Sequence, residues 1–297
     1  MEQLLPTAVP ITEASRILRR LAERIAAAYI TATAPQAILL TGSTADGDAD
    51  YYSDLDIITY YEQIPSEDAM CAARTALGAG EMRWLGDRAG GAGIEIYRLE
   101  GVECQIAHLT VAHWEHDMSS ILEGLDVTSP VQKAFNGVLH GIPLLGAETI
   151  SRWQERLAVY PEALATAMVT EHLQFFPLWN HSSRLALRDA QLWCQETLAE
   201  SERHLLGILA GLNRLYYSPF QFKRLHRFVD AMTIVPEALA ERLDALLRGD
   251  TIVAANALKQ LVQETVLLVE EHMPQIDTTA VRRSLNAPAA APWGNPE

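Results

Sequence analysis

The chain has 297 residues, 49% of them hydrophobic and 21% charged, with a formal net charge of −15. That length suits two domains with separate cores, and so acidic a surface disfavours a nucleic-acid polymer as substrate while attracting a cationic small molecule. The three cysteines, Cys71, Cys104 and Cys194, are too scattered for a disulfide framework or a metal-ligand pattern.

No uninterrupted apolar stretch approaches the roughly 18–20 residues of a membrane span. Met1 to Pro6 lack the basic start and apolar core of a signal peptide. A reducing cytoplasm is therefore the expected location, with no membrane partner.

In chain order, Thr12 to Ile30 reads as an amphipathic helix, with Ile17, Leu18, Leu21 and Ile25 on one face and Arg19, Arg20, Glu23 and Arg24 largely on the other. The apolar run Ala37-Ile38-Leu39-Leu40 is a strand leading into Thr41-Gly42-Ser43. A polar loop follows, then Ser53-Asp54-Leu55-Asp56 at the head of a second apolar run, Ile57 to Tyr61. A short helix is predicted from Pro65 to about Leu77, ended by Gly78 and Gly80. Met82 to Leu85 reads as a strand. Ile94–Leu99 and Val102–Ala107 alternate around Glu100-Gly101, a hairpin signal.

From about Trp153 the pattern turns helical. The predicted segments are Pro161–Phe175, Ser183–Leu198, Glu202–Tyr216, Pro219–Met232, Pro236–Leu247 and Ile252–His272, with Ser218-Pro219 as a cap-and-proline start. The expectation is an α+β chain: a small mixed sheet with helices over 1–148, a helical bundle over 149–283, and a disordered tail over 284–297.

Asp54 and Asp56 carry the strongest chemical signal. At i and i+2 on a strand they project to one side, where two carboxylates can share Mg²⁺, a hard ion that usually keeps phosphate oxygens in its shell. Gly42 lets backbone N–H groups of the Gly42-Ser43 turn approach a phosphate, having no Cβ to block it. This is the pattern of a two-metal site for nucleotidyl transfer.

The Gly-Ser then Asp-x-Asp constellation resembles the DNA polymerase β-like nucleotidyltransferase superfamily. The loop from Gly42 to Asp56, with its internal Asp46-Gly47, is most similar to that of the streptomycin/spectinomycin-type aminoglycoside adenylyltransferases. The resemblance implies a third carboxylate on a neighbouring strand that ligates a metal or takes the acceptor proton. Glu103, in Val102-Glu103-Cys104-Gln105-Ile106, matches that position, and Glu95 in Ile94-Glu95-Ile96 is the competitor. Downstream, Leu212-Asn213-Arg214-Leu215-Tyr216-Tyr217-Ser218 resembles a run in the helical domain of the same enzymes. It implies that Arg214 and a following lysine, best matched by Lys223, reach across a cleft to the nucleotide phosphates; Arg224 or Arg227 could substitute.

His108, His113 and His116 are expected on a strand end and loop with structural or solvated roles. Trp179, Trp193 and Phe175-Phe176 read first as core.

The resemblance thus implies an adenylyltransferase: ATP as co-substrate, two Mg²⁺ on Asp54, Asp56 and Glu103, and Gly42, Ser43, Arg214 and Lys223 on the nucleotide. AMP passes to a hydroxyl of a small, aminoglycoside-like acceptor, and pyrophosphate leaves. The rival readings are an enzyme that modifies a protein hydroxyl, as antitoxin nucleotidyltransferases do, and a catalytically idle nucleotide-binding module.

Overall fold

The computed structural model describes residues 11–220 and 222–289. The chain is an α+β protein in two compact units, one formed by 1–120 with 134–159 and the other by 121–133 with 160–297.

In the first unit, Thr12 caps α1 (Glu13–Thr33), its hydroxyl accepting the Ser15 N–H. Next come β1 (Ala37–Thr41), a short α2 (Gly42–Asp46), β2 (Leu55–Tyr61), and α3 (Glu67–Leu77), which is capped by Ser66 and closed by Gly78. β3 (Arg83–Asp87), β4 (Ala92–Leu99) and β5 (Val102–Thr110) follow. Glu100 and Gly101 both have positive φ, the geometry of a two-residue hairpin turn between Leu99 and Val102. Elements that the periodicity did not predict come after: α4 (Val111–Leu122), α5 (Gln132–His140), β6 (Ile142–Leu145) and most of α6 (Ala147–Ala158).

The six strands run in the order β3-β4-β5-β2-β1-β6. β2 and β5 are parallel and the other pairs antiparallel. Because side chains alternate along a strand, the sheet has two unlike faces. Ile38, Leu40, Leu55, Ile57, Cys104 and Ile106 face a core shared with Leu18, Leu21, Ile25 and Tyr29 of α1 and Ala73 of α3. On the other face Tyr60 packs against Trp114 of α4 and Trp153 of α6, at ring-centroid distances of 6.0 and 4.6 Å. Asp56 and Gln105 lie on that same face and are only half-buried.

The second unit contains α7 (Glu162–His172), α8 (Leu178–Ala186), α9 (Gln191–Asn213), α10 (Leu225–Asp230), α11 (Leu239–Leu246), α12 (Thr251–His272) and α13 (Thr279–Asn286). α12 is long and apolar enough to cross a membrane by length and composition. Its Leu258, Leu261, Val262, Val266 and Val269 are fully buried, and it packs on α8 and α9.

Four features depart from the expected helices. The predicted helix Ser183–Leu198 is split, since α8 ends at Ala186 and α9 starts at Gln191. The predicted break near residue 200 is absent: α9 continues through it, with Ser201 buried and its hydroxyl donating to Thr197 O at 2.8 Å. Ser218-Pro219 starts no helix: the Ser218 hydroxyl accepts the Phe220 N–H in a local turn, and α10 begins only after Arg224. The tail expected from residue 284 also begins too early, since α13 runs to Asn286 with Leu285 buried. Residues 290–297 lie outside the described residues, as do residues 1–10, on which the leader expectation fell.

Candidate functional site

Asp54 directly precedes β2 and Asp56 lies inside it. The parallel register pairs Leu55 with Cys104 and Asp56 with Gln105, so Glu103 and Gln105 share the face of the two aspartates at the same end of the strands. Gln105 Nε2 donates to Asp54 Oδ2 at 3.1 Å and reaches Glu103 Oε1 at 3.5 Å. The structure therefore brings Asp54, Asp56 and Glu103 onto one sheet face, with an amide among them.

The turn expected to bind phosphate stands against Asp56. β1 pairs antiparallel with β2, setting Thr41 opposite Asp56, and the chain then turns sharply into α2. Gly42 has φ +67°, and a Cβ there would lie 2.5 Å from Asp56 Oδ2. Only glycine leaves this space beside the carboxylate.

The turn is held from behind. Arg19 of α1 donates from Nε to Thr44 O at 3.1 Å and from Nη2 to Ala45 O at 2.8 Å. The Ser15 hydroxyl accepts the Ala49 N–H at 2.9 Å, and Thr12 donates to Ala49 O at 2.7 Å. The helix pattern placed Arg19 on the outer face. A basic residue on a helix preceding a Gly-Ser turn is the one signal that could have suggested otherwise.

Glu95 lies on the opposite face. It is fully buried, accepts hydrogen bonds from Tyr29 and from the Arg74 guanidinium, and stands 3.1 Å from His108 Nε2. Arg74 also pairs with Glu67, which is bonded to Arg88. Burial opposes the ionisation of Glu67, but Arg88 and Arg74 outweigh it and hold that carboxyl below its usual range. Burial pushes the Tyr29 phenol far up, so it stays a proton donor to Glu95. His108 lies near the C-terminal end of β5. Burial, with the Arg88 and Arg74 cations, pushes it down to about 3, and it is neutral. His113 and His116 lie on α4 rather than in a loop, His113 paired with Asp117 at 3.5 Å.

Arg214 and Lys223 belong to the helical unit. Arg214 is the left-handed C-cap of α9, and its guanidinium grips Glu162 through Nε–Oε1 at 3.1 Å and Nη2–Oε2 at 2.8 Å. Lys223 is exposed in the irregular segment before α10, with Arg224 at the N-cap of that helix and Arg227 in its last turn. Trp179 is buried and donates to Ser284 O at 3.4 Å, a packing role.

Among the described residues, no three histidine, cysteine, aspartate or glutamate side chains converge closely enough to hold an ion together. The donor chemistry still fits Mg²⁺. That ion takes oxygen ligands, keeps several waters, and is usually held by one or two carboxylates plus phosphates rather than by a full protein cage. Asp54 and Asp56 supply two such carboxylates, and the space left by Gly42 adjoins one of them.

No protein-family model matches the chain, and no curated protein sequence matches it. Among solved structures, it is similar to the crystal structure of a nucleotidyltransferase-like protein from Exiguobacterium sibiricum 255-15. The two are 12% identical, the match covers 89% of this chain and 81% of that one, and the TM-score is 0.39.

Proposed function

We propose that this chain is a metal-dependent nucleotidyltransferase that moves AMP from ATP to a hydroxyl of a small acceptor. The observation that carries the reading is the placement of Asp54, Asp56 and Glu103 on one sheet face, with Gly42 apposed to Asp56. Mg²⁺ bound there would act as a Lewis acid on the phosphoryl oxygens and offset their charge.

The remaining work falls to the chain's own groups. Asp54 and Asp56 hold the metal–nucleotide complex. Backbone N–H groups at Gly42 and Ser43 receive phosphate oxygens, in a turn kept rigid by Arg19. Glu103, exposed on the same face, takes the acceptor's hydroxyl proton. The acceptor oxygen then bonds to the α-phosphorus, the bond from that phosphorus to the bridging oxygen breaks, and pyrophosphate departs with the electron pair. Arg214 and Lys223 are assigned to the nucleotide phosphates on the resemblance alone. The net charge of −15 favours a cationic acceptor, aminoglycoside-like compounds first.

The test is calorimetric titration with a non-hydrolysable ATP analogue, with and without Mg²⁺, followed by a pyrophosphate-release screen over aminocyclitol acceptors. Metal-dependent binding that weakens in Asp56→Asn supports the reading. A folded protein that binds no nucleotide and releases no pyrophosphate with any acceptor overturns it.

A further inference from the structure

The two aspartates are not held equally. Asp56 lies inside β2, paired with Thr41 on one side and Gln105 on the other, and its side chain stands over Gly42. Asp54 precedes the strand, at the end of a loop whose Tyr51 and Tyr52 are 80% and 99% exposed. Strand pairing therefore does not orient its carboxylate. What does is the Gln105 amide, which crosses from β5 to donate to Asp54 Oδ2 at 3.1 Å.

We propose that Gln105 is a positioning residue for this site: its amide fixes the carboxylate of Asp54 for metal binding and spaces it from Glu103. The inference rests on the reading of Asp54 as a metal ligand. An ionised carboxylate has about four lone-pair positions, so Asp54 can keep the Gln105 bond through one oxygen and offer the other to an ion. An amide suits the task better than a cation would. It donates to Asp54 and faces Glu103 without neutralising either, leaving the site's negative charge for the metal. Hydrogen bonds that orient a ligating carboxylate are commonly worth about 10- to 100-fold in metal affinity or activity.

The experiment is a Mn²⁺ titration, read by electron paramagnetic resonance, of the full chain with a non-hydrolysable ATP analogue. Wild type is compared with Gln105→Met, Gln105→Leu and Asp54→Asn, the two Gln105 variants removing the donor with side chains of different shape. In both, the Mn²⁺ dissociation constant should rise about 10- to 100-fold. During turnover the loss should sit in the metal's KM and be largely restored in kcat at saturating metal, a split that a general loss of structure would not give. Wild-type affinity in a folded Gln105 variant, with Asp54→Asn impaired, overturns this inference and leaves the function standing. Absence of Mn²⁺ binding by the wild type overturns the function and this inference with it.

Discussion

The two faces of the sheet put the same functional group to opposite uses. Glu95 on one face is sealed from water and matched by the Arg74 guanidinium, the Tyr29 hydroxyl and the His108 ring. Asp54, Asp56 and Glu103 on the other face are half-buried or exposed, held by a turn and an amide. A buried carboxylate without a cation is costly, and one with a matched cation is a fixed structural part. Carboxylates within reach of solvent are open to an incoming ion. Strand alternation separates a structural acid from the carboxylates of the proposed site, and the contrast can be broken by substitution on either side.

The largest effect belongs to the open face. Asp56→Asn should lower turnover by about 10³ or more, the loss expected when several kcal/mol of metal-assisted stabilisation is removed. Thermal unfolding should stay close to wild type. If a purified Asp54→Asn/Asp56→Asn double variant still releases pyrophosphate, these carboxylates are not the reacting site.

Glu95→Ala should do the reverse. It leaves Arg74 and His108 facing an empty, buried position, and breaking such a pair costs about 3–5 kcal/mol. Denaturant unfolding should show the loss, while turnover per folded molecule stays near wild type. A stable Glu95→Ala with no activity would mean that the third carboxylate had been placed on the wrong face.

Gly42→Ala tests where the turn meets the face of the proposed site. A left-handed backbone costs a non-glycine residue about 1–2 kcal/mol. The added methyl would also press on Asp56 Oδ2. A displacement near 1 Å at a reacting group can cost about 10²-fold in rate. Turnover should therefore fall by more than the stability loss accounts for. Normal kinetics in Gly42→Ala would show that Asp56 has room to move aside.

What the sequence disclosed follows from the range of the interactions. Asp54 and Asp56 could be placed on one side because the i, i+2 rule is local, and the Glu100-Gly101 hairpin was legible for the same reason. Gln105 was not, because its role depends on the parallel pairing of β2 with β5, which brings it to Asp54 from 51 residues away. Glu95 could compete with Glu103 on sequence alone, because the partners that bury it, Tyr29 and Arg74, lie 66 and 21 residues away. The helix break near residue 200 failed on a different ground. Leu198, Ser201, Leu205 and Leu206 are all buried along α9, so tertiary packing carries the helix through residues 199–201.

Glu202 sharpens the comparison with the smallest effect, inside the helical unit. It is half-buried like Asp56, but one of its oxygens is buried with no hydrogen-bond partner. Burial, with some help from Asp244 and against the pull of Arg203, pushes its carboxyl from 4.5 to about 7. The folded state thus holds a proton that the unfolded chain releases above about pH 4.5. Glu202 then subtracts nothing below that pH and costs stability progressively as pH rises through about 7. Allowing for its partial exposure, the cost is about 1–2 kcal/mol by pH 8. Glu202→Gln should remove that part of the slope in urea-unfolding stability between pH 5 and about 8, and gain most at the alkaline end. Parallel pH profiles for variant and wild type would mean that Glu202 ionises in the folded protein as freely as it does in the unfolded chain.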